Sequence, residues 1–129
     1  MRSDTKSISI NAKADKVVAF LADPQNLPRW AVGFAQSVRR DGDRWVVKTG
    51  AGEMSIRIVA EPRLGVVDFF MSPAPGIEGL AASRVVSNGE GVEYVFTQFQ
   101  GPGMPDEAFK QSIQALAHEL TVLKALLEK

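Results

Sequence analysis

The chain contains no cysteine, one histidine and one tyrosine among its 129 residues. Without cysteine there is no disulfide, no thiolate metal site and no cysteine nucleophile. A single imidazole cannot build a metal site that needs two, so no metal and no cofactor are expected. Net charge is missing as well: 15 Lys and Arg balance 15 Asp and Glu. That balance lacks the basic footprint of a nucleic-acid binder or a polybasic membrane protein. Long apolar runs are also absent. The stretch Val17–Ala22 falls far short of the roughly 20 residues that cross a bilayer, so no membrane insertion is expected. The polar opening Met1–Lys6 shows no signal-like apolar segment, and a cytoplasmic protein is the expectation.

What remains is a chain of one-domain size, residues 1–129, able to bury about two-thirds of its unfolded surface. Ser7–Asn11 alternates polar and apolar and predicts a short strand. Ala14–Ala22 places Val17, Phe20 and Leu21 at helical spacing. Asp23-Pro24 ends that helix and opens a second short one over 24–27, which Pro28 is expected to stop. From 35 to 100 the pattern turns to sheet, with turn signals at Asp41-Gly42, Gly50–Gly52, Arg63–Gly65 and Asn88–Gly91. Strands are predicted over 36–40, 44–49, 53–61, 65–71, 82–88 and 91–99, joined as an antiparallel meander. Residues 72–79, rich in Pro and Gly, read as a loop. A long helix is predicted over 105–127, with Pro105 at its first position and Asp106 and Glu107 in the first turn. Phe109, Ile113, Leu116, Leu120, Leu123 and Leu127 form its apolar stripe.

This order predicts an α+β architecture: a curved antiparallel sheet of about seven strands gripping the C-terminal helix, with two short helices after the first strand. A sheet bent around a helix leaves room for a ligand. The residues expected to line that room are Trp30, Phe34, Trp45, Ile56, Phe69, Met71, Arg84, Phe96, Gln98, Met104, Phe109 and Ile113. Arg84 and Gln98 stand out as polar residues in apolar strands. The parity of 82–88 and 91–99 stays open, because both faces of the latter carry aromatics. His118 projects opposite the apolar stripe and is expected in solvent. No catalytic residue emerges, and neither Gly50–Gly52 nor Gly101–Gly103 has the context of a phosphate loop. A second strip on the last helix, Ala108, Ala115, Val122 and Leu126, fits a homodimer contact or lateral packing equally well.

The segments Ile8–Ala12, Ala14–Val17, Ala19–Pro24 and Asn26–Trp30 resemble the start of the START/Bet v 1-like superfamily. The closer resemblance is to the bacterial polyketide cyclase/dehydrase-like (SRPBCC) group. Asn88-Gly89, Glu93–Thr97, Gly103–Asp106 and Glu119–Lys124 carry it through the tail. Lys13 and Val18 depart from it, standing where relatives often have Pro and Trp. The resemblance implies the helix-grip fold and a small apolar or aromatic molecule as partner. It leaves three activities open: ligand binding, cyclase/dehydrase catalysis by cavity shape and acid/base groups, or a co-chaperone-like interaction module.

Overall fold

The computed structural model describes all 129 residues. Strand β1 (Ser3–Ile10) leads into helix α1 (Ala14–Ala22), a 3₁₀ turn (Pro24–Asn26) and helix α2 (Leu27–Trp30). Six strands follow: β2 (Ser37–Asp41), β3 (Arg44–Thr49), β4 (Gly52–Glu61), β5 (Val66–Ala74), β6 (Ile77–Asn88) and β7 (Gly91–Phe99). Helix α3 (Asp106–Leu127) ends the chain. The sheet order is β1-β7-β6-β5-β4-β3-β2, and every neighbouring pair is antiparallel. This is the helix-grip architecture. No helix is long and apolar enough to cross a membrane.

Three elements differ from expectation, each for a local reason. Residues 72–79 are not a loop: β5 runs to Ala74 and β6 starts at Ile77, so the hairpin turns on Pro75-Gly76. Pro73 falls where the register shifts between Met71 and Ala74, a place that does not require its missing N–H. Pro28 opens α2 rather than ending the preceding turn, since a helix's first residues have no intrahelical acceptor to lose. Strand β1 begins four residues early because its pairing with β7 continues from Ile10↔Val92 out to Ser3↔Phe99.

That pairing also settles the faces. Asp4, Lys6, Ile8 and Ile10 stand opposite Gln98, Phe96, Tyr94 and Val92, and the apolar members fix this as the inner side toward α3. On β6 the buried residues are Ala81, Ser83 and Val85. Arg84 therefore points outward, where its guanidinium lies 3.3 Å from Asp68. Arg84 does not line the inner face, which corrects its expected place.

The main core holds 20 buried side chains. From α3 it takes Leu116, Leu120, Leu123 and Leu127, packed with Val17, Leu21, Val92 and Tyr94 among others. Burying each leucine contributes about 2–3 kcal/mol. Phe109 is also buried, at 1% exposure, yet it stands outside that cluster. The Arg2 guanidinium covers its ring at 5.3 Å. Ala115, Val122 and Leu126 are half-buried; the latter two pack on the core, and Ala115 meets Gly33. Within one chain the second helical strip is thus partly covered, by the core at Val122 and Leu126 and by Gly33 at Ala115. A Cβ at Gly33 would come within 3.1 Å of the Ala115 Cβ, so the chain after α2 lies close on α3.

This division of α3 has a measurable consequence. Leu123→Ala is expected to cost about 3 kcal/mol in urea unfolding, in the usual range for a sealed core leucine. Phe109→Ala should cost less despite the larger deletion, because its ring stands apart from the packed cluster. A larger loss at Phe109 would mean tight core packing under the first turns of α3.

Candidate functional site

Three strands change together from sealed to half-buried toward one end of the molecule. Along β7, Val92 and Tyr94 are sealed, then Phe96 and Gln98 are half-buried. On β5, Val67 and Phe69 are sealed and Met71 is half-buried. On β1, Ile10 is sealed while Ile8, Lys6 and Asp4 are half-buried. On α3, Ile113 is half-buried between the sealed Leu116 and the sealed Phe109. The register sets Asp4, Gln98 and Ala81 in one row across three strands, with Phe69 beside them.

An aromatic file runs along this region. Ring centroids are 6.3 Å apart for Trp30–Phe69, 6.0 Å for Phe69–Phe96 and 6.2 Å for Phe96–Tyr94. Each such contact adds about 0.5–1.5 kcal/mol beyond area burial. The file carries polar atoms without partners: the Trp30 Nε1, the Tyr94 hydroxyl and, next along β7, the Gln98 Nε2 are buried and make no hydrogen bond. The Asp4 Oδ2 is in the same condition. Burial pushes the Tyr94 phenol up, so it stays protonated and acts only as a neutral hydroxyl.

The expected lining residues divide by place. Trp30 and Phe69 are sealed in the main core, Met71 and Phe96 pack against it half-buried, and Gln98 and Ile113 are half-buried on β7 and α3. Ile56 is sealed on β4. Phe34 is half-buried in the segment between α2 and β2, and Phe109 is sealed at the β1 side. Trp45 pairs with Ile56, which pairs with Met71, so it shares their face of the sheet and packs against the core. It also borders two open depressions of about 630 and 520 Å³, the first lined also by Pro28, Val38 and Arg40 and the second by Ile56. The Arg40 guanidinium covers its indole at 5.4 Å. Met104 sits exposed in the loop before α3. His118 is exposed, as its spacing predicts.

One buried ionisable group escaped the sequence reading. Glu119 is 6% exposed on α3, and its Oε2 accepts the Gly33 N–H at 2.9 Å. Burial raises its pKa from the ordinary 4.5 to about 7, against the lowering by the Gly33 and Phe34 amides. The signal was present: Glu119 lies three residues after Leu116 and four before Leu123, on the flank of the leucine stripe. A charged residue there is either snorkelling or tied down. Here it is tied to the segment that crosses from α2 to β2.

The titration has a definite sign. Between about pH 4.5 and 7 the folded chain holds a proton at Glu119 that the unfolded chain has released. Stability therefore falls as pH rises through that window, by at most about 3 kcal/mol. Glu119→Gln should remove this slope and be the more stable protein at pH 8, with the difference closing near pH 4.5. Parallel urea curves for both proteins at all pH values would contradict the assignment.

Comparison with known proteins agrees with this architecture. The family described as polyketide cyclase / dehydrase and lipid transport matches residues 1–128. The Aha1 dimer from Colwellia psychrerythraea superimposes at a TM-score of 0.78 with 16% identity, covering 99% of this chain and 97% of that one. The di-domain ARO/CYC protein BexL, from a biosynthetic pathway, gives 0.74 and 18% over 97% of this chain but only 46% of its own. Ara h 8.0201 gives 0.66 and 12%, over 98% of this chain and 97% of its own. A search of curated proteins finds none that matches. Identities this low carry the fold and nothing finer, whereas the family match spans almost every residue. The chain belongs to the polyketide cyclase/dehydrase and lipid transport family.

Proposed function

We propose that the protein binds a small, largely apolar molecule between the sheet and the first half of α3. The observation that carries this reading is the joint loss of burial along β1, β5 and β7, beside aromatic side chains that bear unpartnered polar atoms. Apolar walls with a few fixed polar groups are what a ligand pocket requires. A two-ring aromatic that hides about 250 Å² of apolar surface gains about 6 kcal/mol, enough for binding in the tens of micromolar. The family's association with lipid transport supports the same class of occupant.

The competing reading is catalysis of the cyclase/dehydrase kind, in which a shaped cavity folds the substrate and one group moves a proton. Glu119 favours it, being the buried side chain whose pKa lies near neutrality. Its carboxylate, however, is engaged by Gly33 and stands on the flank of α3, away from Phe96 and Gln98 in the order of contacts described above. A co-chaperone-like module would act through an outer surface and need no interior guest.

Three measurements separate these readings. Native mass spectrometry of freshly purified protein should reveal a co-purifying small molecule, and N-phenyl-1-naphthylamine should bind saturably with a Kd below about 100 μM. Ile113→Trp, which enlarges a half-buried side chain of α3, should weaken that dye at least tenfold with little change in unfolding midpoint, whereas Arg84→Ala on the outer face should leave its affinity unaltered. Dye binding that ignores Ile113→Trp would place the site elsewhere; no binding at all would favour the interaction module. Turnover of a poly-β-ketone lost in Glu119→Gln, with affinity kept, would establish the enzyme.

A further inference from the structure

Asp4 and Gln98 are directly opposed partners on β1 and β7, on the face toward α3. The Gln98 Nε2 is a buried donor without an acceptor, and the Asp4 Oδ2 is a buried acceptor without a donor. Two complementary groups this close in register would ordinarily hydrogen-bond to each other; these do not. Leaving such atoms unpaired costs about 1–3 kcal/mol each. The Lys6 ammonium lies 3.6 Å from the Asp4 Oδ2, beyond hydrogen-bond distance, and balances its charge. Arg2 over the Phe109 ring places the first turns of α3 beside the start of β1, so the pair faces the end where α3 is not part of the main core.

We infer that Asp4 and Gln98 form a polar anchor for a neutral ligand group that presents an acceptor beside a donor, a carboxamide or lactam being the simplest. The ligand's carbonyl oxygen accepts from the Gln98 Nε2, and its N–H donates to the Asp4 Oδ2. An apolar ring attached to that group extends along Phe96. The charge balance with Lys6 selects against a carboxylate, which would bring a second anion to Asp4 and has no proton to donate. This inference rests on the ligand-binding reading above and adds the chemistry of the polar end of the ligand.

The test uses the full chain and displacement of bound N-phenyl-1-naphthylamine by three matched compounds: naphthalene-2-carboxamide, methyl 2-naphthoate and 2-naphthoate. The carboxamide should displace the dye at least tenfold more tightly than the ester, which accepts but cannot donate. Gln98→Met and Asp4→Ala should each bring the two compounds to within about twofold of one another. Both variants should still bind the dye saturably, so that displacement can be read, and the unfolding midpoint should hold or rise, since each substitution removes a buried polar atom that makes no hydrogen bond. Equal displacement by ester and carboxamide in the wild type, with the dye bound, overturns the anchor and leaves the apolar site standing. Tightest displacement by 2-naphthoate also overturns it and assigns an anion site to Lys6. Failure of the dye to bind the wild type overturns both readings together.

Discussion

The structure depends on one apolar seam, the contact of Leu116, Leu120, Leu123 and Leu127 with the inner face of the sheet. A helix of 22 residues is about 33 Å long, more than that seam occupies. Its second half is held by burial of large side chains, which is strong and has no directional demand. The polar ties at this end only trim its ends: the Lys16 Nζ reaches the Leu127 carbonyl at 3.0 Å, and the Lys124 Nζ reaches the Ser9 carbonyl and the Glu128 carboxylate. The first half rests on different means. Phe109 under Arg2, and the Gln100 side chain bonded to the Met104 carbonyl and the Asp106 carboxylate, fix where the helix enters. Position is thereby separated from packing: the helix entry is fixed by contacts that lie outside the leucine seam.

Charge follows the same division. The outer face carries ordinary exposed pairs: Arg84 with Asp68, and Arg57 with Glu78 over the Phe70 ring. Pairs of this exposure contribute less than about 1 kcal/mol each and need no special environment. Inside, polar side chains are few and each has a specific fate. Ser83 donates to the Val67 carbonyl, Thr49 to the Gly52 carbonyl, and Glu119 accepts the Gly33 amide. The unpaired exceptions do not scatter through the core; Asp4, Gln98, Tyr94 and Trp30 accompany the aromatic file.

Much of the fold was legible because its signals are local. The heptad-like recurrence from Phe109 to Leu127 marks α3, and positive-φ glycines such as Gly42 and Gly89 mark hairpin turns. What was illegible depended on partners. β7 has aromatics on both faces, so its parity waited for β1, where Ile8 and Ile10 choose Tyr94 and Val92 as their companions. With that choice Gln98 turns inward, and Arg84 turns outward through the β6 register. The 72–79 hairpin was hidden for a similar reason: Pro73 argues against a strand unless a register shift accommodates it, and only the pairing with β6 supplies one. Glu119 needed a neighbour from far along the chain, the Gly33 amide, to turn an oddity in the stripe into a bonded group.

The unpaired atoms also bear on why the site is polar at all. For stability alone, Leu or Met at position 98 would serve better, since either would bury apolar surface without desolvating an amide. Asp4 is ion-paired with the Lys6 ammonium, yet its Oδ2 accepts no hydrogen bond. Neither side chain is forced on the fold by its neighbours: the β1–β7 ladder is carried by backbone groups and is indifferent to them. A scaffold whose core already suffices can carry such groups, and their hydrogen-bonding capacity is then available to a guest. One scaffold can carry different residues at a few positions without a change of fold, so activities within a family follow those positions rather than the architecture.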